Sequence, residues 1–219
     1  MTALADLWPP AALVVTDGEL TLRAIDDTLL VGLAELAAEG VHDPASMPFV
    51  VPWTRGTRLE IARSVLTYQW GVRSRLSPES WALELAVLRG DELLGVQAIS
   101  AETFPALRVA ESGSWLGRRH HGRGVGTRMR LLVLHLLFDQ LGAQLATTSA
   151  FVDNPASQAV TSRLGYTSNG QDLVLREGAS AVSRRYRLAR SDWLERPAEH
   201  KLDVRYEGLP ALREFLQIT

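Results

Sequence analysis

The hydrophobic period changes several times along the chain, and each change predicts an element. Apolar and polar residues alternate over ELTLR, Glu19 to Arg23, as in a short strand. Asp26 or Asp27 can cap the next segment, and LLVGLAELAAEG reads as a helix closed by Gly40. A second helix fits Arg58 to about Arg75, with Leu59, Ile61, Ala62, Val65, Leu66 and Trp70 on its apolar side. Between the two lies VHDPASMPFVVPWTRG, with three prolines and two aromatics. It is too proline-rich for regular structure and too apolar for a free linker. Such a segment is expected to lie against a pocket or another subunit.

The middle of the chain is β-rich. SWALELAVLR and LLGVQAIS form a predicted hairpin around Gly90 and Asp91. RVAESGSWL is a further strand, and a helix follows from Thr127 to about Leu141. QLATTSAFV is the next strand. In DNPASQAVTSRLGY, Asn154 can cap, Pro155 suits a first helical turn, and Gly165 ends a helix over Ala156 to Leu164. Strands at Leu173 to Arg176 and Ala181 to Leu188 flank an REG turn. Short helices are expected at DWLE and PALREFLQ in the polar tail. This order predicts an α/β or α+β layout around one mixed sheet.

Composition narrows the function. The 219 residues are 46% hydrophobic with a net charge of −2, so no general surface for nucleic acid or anionic membrane is expected. There is no cysteine, which removes disulfides and thiolate chemistry. No signal peptide or membrane span is read, so the expected location is the cytoplasm. The histidines lack H-x-x-x-H spacing, so no metal is expected. No G-x-S-x-G occurs, which disfavours a serine hydrolase.

The most informative stretch is HHGRGVGT. Gly122, Gly124 and Gly126 fall between a strand and a helix. Glycine permits left-handed backbone and close approach of a ligand. A helix start also offers free N–H groups and a positive dipole end. With Arg118, Arg119 and Arg123 nearby, a phosphate-bearing ligand is expected; the bland alternative is a flexible turn with solvated arginines. A Walker A loop would need a lysine here, and a Rossmann G-x-G-x-x-G would need glycine where Thr127 stands.

The run His121-Gly122-Arg123-Gly124-Val125-Gly126 resembles the coenzyme A pyrophosphate loop of the GNAT N-acyltransferase superfamily. His121 replaces the family's usual Gln or Arg. ESGSWLGRRHHGRGVGT and DNPASQAVTSRLGY resemble the Rim-type branch, the ribosomal-protein N-terminal acetyltransferases. VHDPASMPFVVPWTR and SGSWLG resemble a GNAT protein succinyltransferase. The likeness spans roughly residues 19 to 190. It implies a GNAT fold: one mixed, mostly antiparallel sheet, splayed at the acyl-CoA site and flanked by helices. The domain would cover residues 1–190, with 191–219 an extension packed on it or on a partner subunit.

The same resemblance implies direct attack of an amine on a thioester. The donor would be acetyl-CoA or succinyl-CoA; the acceptor would be a protein N-terminus, a lysine or a small amine. The rival class is a non-catalytic acyl-CoA-binding or sensing module. Trp115 or Leu116 would polarise the carbonyl through its N–H. Residues 121 to 127, ending at Thr127, would hold the pyrophosphate. Glu111, on the same strand face as Trp115, is the candidate base, or else a half-buried partner in an ion pair. Ser157 would protonate the thiolate or only hydrogen-bond. Asn154 is a helix cap, a pantetheine contact, or both. His42 and Asp43 would face the acceptor, and Arg55 would face an acidic acyl group. Family analogy implies a homodimer or higher homo-oligomer.

Overall fold

The computed structural model describes residues 2–218, so the outer ends of the two expected segments, residues 1 and 219, lie outside the described residues. Helix α1 (Leu4–Leu7) leads to strands β1 (Val14–Thr16) and β2 (Thr21–Ala24). Helices α2 (Asp27–Glu39) and α3 (Arg58–Arg75) follow. Asp26 caps α2 by accepting the Leu29 N–H at 2.8 Å. Thr57 and Glu60 form a reciprocal box at the start of α3. The inward positions of α3 are Val65, Gln69 and Val72, while Leu59 and Trp70 are exposed. The sequence pattern assigned those two to the apolar side. Val65 is buried as expected, and Ile61, Ala62 and Leu66 pack on the core; the stripe also takes in Gln69, which reaches Glu84 of the sheet.

Strands β3 (Ser80–Arg89) and β4 (Glu92–Glu102) make the expected hairpin. A short helix α4 (Phe104–Leu107) precedes β5 (Val109–Leu116). Helix α5 (Val125–His135) continues through a wider π turn to Gln140. Then come β6 (Leu145–Phe151), α6 (Pro155–Arg163), β7 (Thr167–Arg176) and β8 (Ala179–Ala189). The tail adds α7 (Arg190–Leu194), β9 (Arg205–Glu207) and α8 (Leu209–Phe215). All nine strands form one sheet in the order β7-β8-β6-β5-β4-β3-β2-β1-β9. Only β5 and β6 are parallel neighbours; every other pair is antiparallel.

One face of the sheet is covered by α5, whose residues from Met129 to Phe138 are all buried. The other face carries α2 and α3 over Ala86, Leu88 and Val96. Residues after 190 contribute to the first core: Trp193, Leu212 and Leu216 are fully buried. Strand β9 extends the sheet beyond β1, pairing Tyr206 with Val15. The segments now seen as β1 and β9 are only three residues each, too short to show a period.

A polar clasp joins the tail to α5. The Leu202 N–H donates to His135 Nε2 at 3.0 Å, so the ring proton sits on Nδ1 and donates to Asp139 at 2.8 Å. Trp193 Nε1 donates to the other oxygen of Asp139 at 2.7 Å. Burial raises the Asp139 pKa, but the bonds from His135 and Trp193 and the nearby Lys201 charge outweigh it and hold it below the ordinary 3.8. Its stabilising contribution is therefore whole above that value and fades as pH falls through the depressed folded pKa. Asp139→Ala should cost about 1–3 kcal/mol at pH 7, toward the lower end because the carboxylate is part-exposed. Urea midpoints measured stepwise from pH 7 to pH 3 should show the gap to wild type narrowing at the acid end.

Candidate active site

Strands β5 and β6 pair only at Val109–Leu145, Ala110–Ala146 and Glu111–Thr147. Beyond Thr147 they part. Strand β5 stays with β4 as far as Leu116–Gly95, and β6 stays with β8 as far as Phe151–Ser183. The gap opens into a cavity of about 790 Å³ that is also lined by the glycine turn, the first turn of α6 and the proline-rich segment.

Backbone alternation decides what faces the gap. The Gly117 N–H donates to Leu94 O, on the β4 side. The Ser112 carbonyl accepts from Thr148 Oγ1 at 2.9 Å and the Leu116 carbonyl accepts from His121 Nε2 at 3.1 Å, both on the gap side. The backbone groups of Ser112, Ser114 and Leu116 therefore point into the gap. Of the two residues expected to polarise a carbonyl, Leu116 presents its N–H there, and Trp115 directs its own toward β4. The Trp115 side chain still lines the cavity and stacks toward Trp53 with ring centroids 5.8 Å apart.

Strand β4 comes unusually close at this point. A Cβ on Gly95 would lie 2.2 Å from the Trp115 carbonyl oxygen and 2.7 Å from Leu116 Cα. Only glycine fits, and the register slips there by one residue.

The glycine turn closes the outer end. Gly124 is the N-cap of α5 with φ +78°, and Gly122 has φ +72°. Gly126 lies inside the first helical turn with ordinary φ; its missing side chain faces Val160 and Leu116. His121, Gly122, Gly124, Val125, Gly126 and Thr127 all line the cavity, and Arg123 does not. First-turn amides have no intrahelical acceptor and point outward at this mouth. His120 behind them is buried, and burial lowers its pKa.

Asn154 accepts the Ser157 N–H at 3.2 Å, so it caps α6 from within the cavity wall. Ser157 also lines the cavity, and its hydroxyl makes no hydrogen bond among the described residues. Glu111 stands elsewhere. It is exposed, belongs to the last closed register, and is outside the cavity wall. The partial burial expected for it is absent, since its side chain is exposed to solvent. It shares a strand face with Gly113, above which there is open space.

His42 and Asp43 line the cavity from the proline-rich segment. Both His42 nitrogens are engaged, Nδ1 with Asp43 O and Nε2 with Thr54 Oγ1, each at 2.7 Å. Asp43 Oδ1 accepts the Ala45 N–H. Arg55 is turned away from the cavity. It donates to Glu177 at 2.6 Å and to Pro44 O at 2.7 Å, and Glu177 raises its pKa. Arg176 donates to Met47 O and pairs with Asp153 at 2.7 Å. The β7–β8 tip thus pins the proline-rich cover.

Two cavity arginines escaped sequence reasoning. Arg163 sits exposed in the last turn of α6. Arg130, inside the helix expected from Thr127, is 5% exposed and reaches the gap from below. A charged residue in an otherwise apolar run was the available signal.

Among the described residues no group of three His, Asp or Glu side chains could hold a metal, and no helix is long and apolar enough to cross a membrane. The ribosomal-protein-serine acetyltransferase of Escherichia coli (strain K12) is 24% identical over 154 residues, 69% of this chain and 80% of that one. Mycobacterium smegmatis RimJ, in complex with CoA-disulfide, superposes with a TM-score of 0.69 at 19% identity, covering 88% of this chain and 93% of that one. RimL, a ribosomal L7/L12 alpha-N-protein acetyltransferase in complex with coenzyme A, gives 0.60 at 21% identity, covering 78% and 94%. The acetyltransferase (GNAT) domain family matches residues 19–167, a span that includes the splayed strands, the glycine turn and α6, and the chain belongs to that family.

Proposed function

We propose that the protein is a Rim-type N-acyltransferase, which moves an acyl group from coenzyme A to a primary amine. The observation that carries this reading is the meeting of parted strands and a left-handed glycine turn in one cavity. An extended arm can take the place of the missing strand and bond to the gap-facing groups of Ser112, Ser114 and Leu116. The pyrophosphate then falls on the free amides of α5. Acetyl-CoA is the simplest donor, and succinyl-CoA the more specific one. The acceptor is a protein N-terminus, a lysine or a small amine.

The amine nitrogen attacks the thioester carbon while the Leu116 N–H receives charge on the oxygen. The C–S bond breaks, and the thiolate takes a proton from the Ser157 hydroxyl, which regains one from water. The attacking ammonium first loses a proton. Glu111 takes it through water, from the open side above Gly113. The Arg55–Glu177 pair holds the cover rather than the substrate. The exposed Leu173 and Leu175 of the outer strand favour pairing of two subunits, and the setting is cytoplasmic.

Release of free thiol from acetyl-CoA or succinyl-CoA, with amines supplied as a panel, tests the reading. Absence of turnover despite measurable coenzyme A binding would leave a binding module. Gly124→Val should reduce coenzyme A affinity at least tenfold by calorimetry, since φ +78° excludes a β-branched side chain without a change in the turn. The core helix begins after it, so the protein should remain folded. Glu111→Gln should lower turnover roughly 10²–10⁴-fold near neutral pH with coenzyme A affinity kept, and the deficit should shrink at high pH. An unchanged rate would remove Glu111 from the mechanism.

A further inference from the structure

The side chain of Arg130 is buried beneath the gap, where it brings a positive charge to the cavity wall away from solvent. Its Nη1 donates to Thr148 Oγ1 and its Nη2 to Ser114 Oγ, each at 3.2 Å. Those two hydroxyls belong to opposite edges of the split sheet. The Nε donor is buried without a partner. No carboxylate forms a salt bridge with Arg130 among the described residues, although every other arginine nearby is either paired or exposed to water. Gln97 Oε1 and the Tyr166 hydroxyl, also buried, are likewise unpartnered. Burial raises the Tyr166 pKa, and the Arg130 charge offsets part of that rise.

An isolated guanidinium in such a place is costly to desolvate unless an anion meets it. Serine and threonine hydroxyls are neutral and do not supply one. The anion must arrive from the cavity. The phosphates of a coenzyme A thioester are held elsewhere, at the glycine turn. Arg130 lies six residues along α5 from Gly124, about 9 Å of helical rise away, toward the closed end of the gap. That end is marked by the bond from Thr148 to Ser112 O. The part of the donor that reaches it is the acyl end.

We infer that Arg130 selects acyl donors with a terminal carboxylate, the coenzyme A thioesters of dicarboxylic acids, by pairing with that carboxylate from below the split between β5 and β6. This rests on the acyl-CoA reading above and names the donor class for the same cavity. The planar, forked guanidinium suits a carboxylate, and Ser114 and Thr148 fix its orientation. Arg55, the residue the sequence offered for this task, is already neutralised by Glu177.

Calorimetry on the whole chain tests this without knowledge of the acceptor. Wild type should bind succinyl-CoA at least tenfold more tightly than acetyl-CoA. In Arg130→Met the loss of affinity for succinyl-CoA should exceed the loss for acetyl-CoA at least tenfold, and Arg130→Lys should restore part of the difference. Equal affinities in wild type, or equal losses in a folded Met variant, would make Arg130 a structural cation only and overturn the inference, with the acyltransferase reading intact. Failure of wild type to bind either thioester or free coenzyme A would remove both. The wild-type comparison stands even if the variants do not fold.

Discussion

The sheet stops pairing after Glu111 and Thr147, and the site follows from that single interruption. Unpaired strand backbone inside a sheet is unfavourable unless something satisfies it. Two side chains satisfy strand carbonyls here, and a third braces the hydroxyls on both edges. Thr148 folds its hydroxyl back onto Ser112 O, His121 reaches Leu116 O, and Arg130 spans both edges from beneath. Thr148 and His121 use a side chain where a strand would use an amide. The Ser114 backbone and the Leu116 N–H remain for an extended ligand. The gap is held open by chemistry on its own walls.

The parting also needs a rigid frame on either side. Strand β5 cannot drift toward β6, because β4 grips it as far as Leu116 and approaches within a distance that only Gly95 permits. Strand β6 cannot drift toward β5, because seven consecutive registers tie it to β8. Below, α5 is fixed at its first turns by Arg128, which pairs with Asp17 and Glu19, and at its far end by the clasp of His135, Asp139 and Trp193. The position of Arg130 is thus set by contacts on both sides of it along one helix. A helix so anchored keeps the distance between the glycine turn and the closed end of the gap constant.

Much of this was legible in the sequence, for identifiable reasons. The caps at Asp26 and Asn154 and the glycine-rich turn are local signals, and local hydrogen bonds realise them. The hairpin at Gly90–Asp91 and strands β5 and β6 carried enough apolar residues to declare themselves. Strand β7 did not: its residues are nearly all exposed, so only its end at Leu173 to Arg176 showed a pattern, whereas pairing with β8 runs from Thr167. The site residues divide the same way. Turn and cap residues fell where local rules put them. Glu111 and Arg55 depended on distant partners. Arg55 meets Glu177, 122 residues away, and Glu111 lies at a register where the sheet is still closed. Neither fact is encoded near the residue itself.

The cover over the cavity shows why its composition looked anomalous. Its aromatics form a ladder, Phe49 to Trp53 at 5.1 Å and Trp53 to Trp115 at 5.8 Å, which ties the segment to the strand that bounds the gap. Met47 is buried beneath it. The outer side is fastened to the β7–β8 tip by the Arg55–Glu177 ion pair and by Arg176, which donates to Met47 O and also pairs with Asp153. These pairs are solvent-exposed and individually weak. The aromatic side is the firmer one, because it removes apolar area from water. The cover is therefore hinged by chemistry: held strongly along Trp115, and lightly at the rim where Asp153 begins the turn into α6. Movement at the rim would widen access to Ser157 without disturbing the strand that carries the Leu116 N–H. Prolines at 44, 48 and 52 limit the alternative shapes the segment can take, so a loosened rim does not become a disordered one.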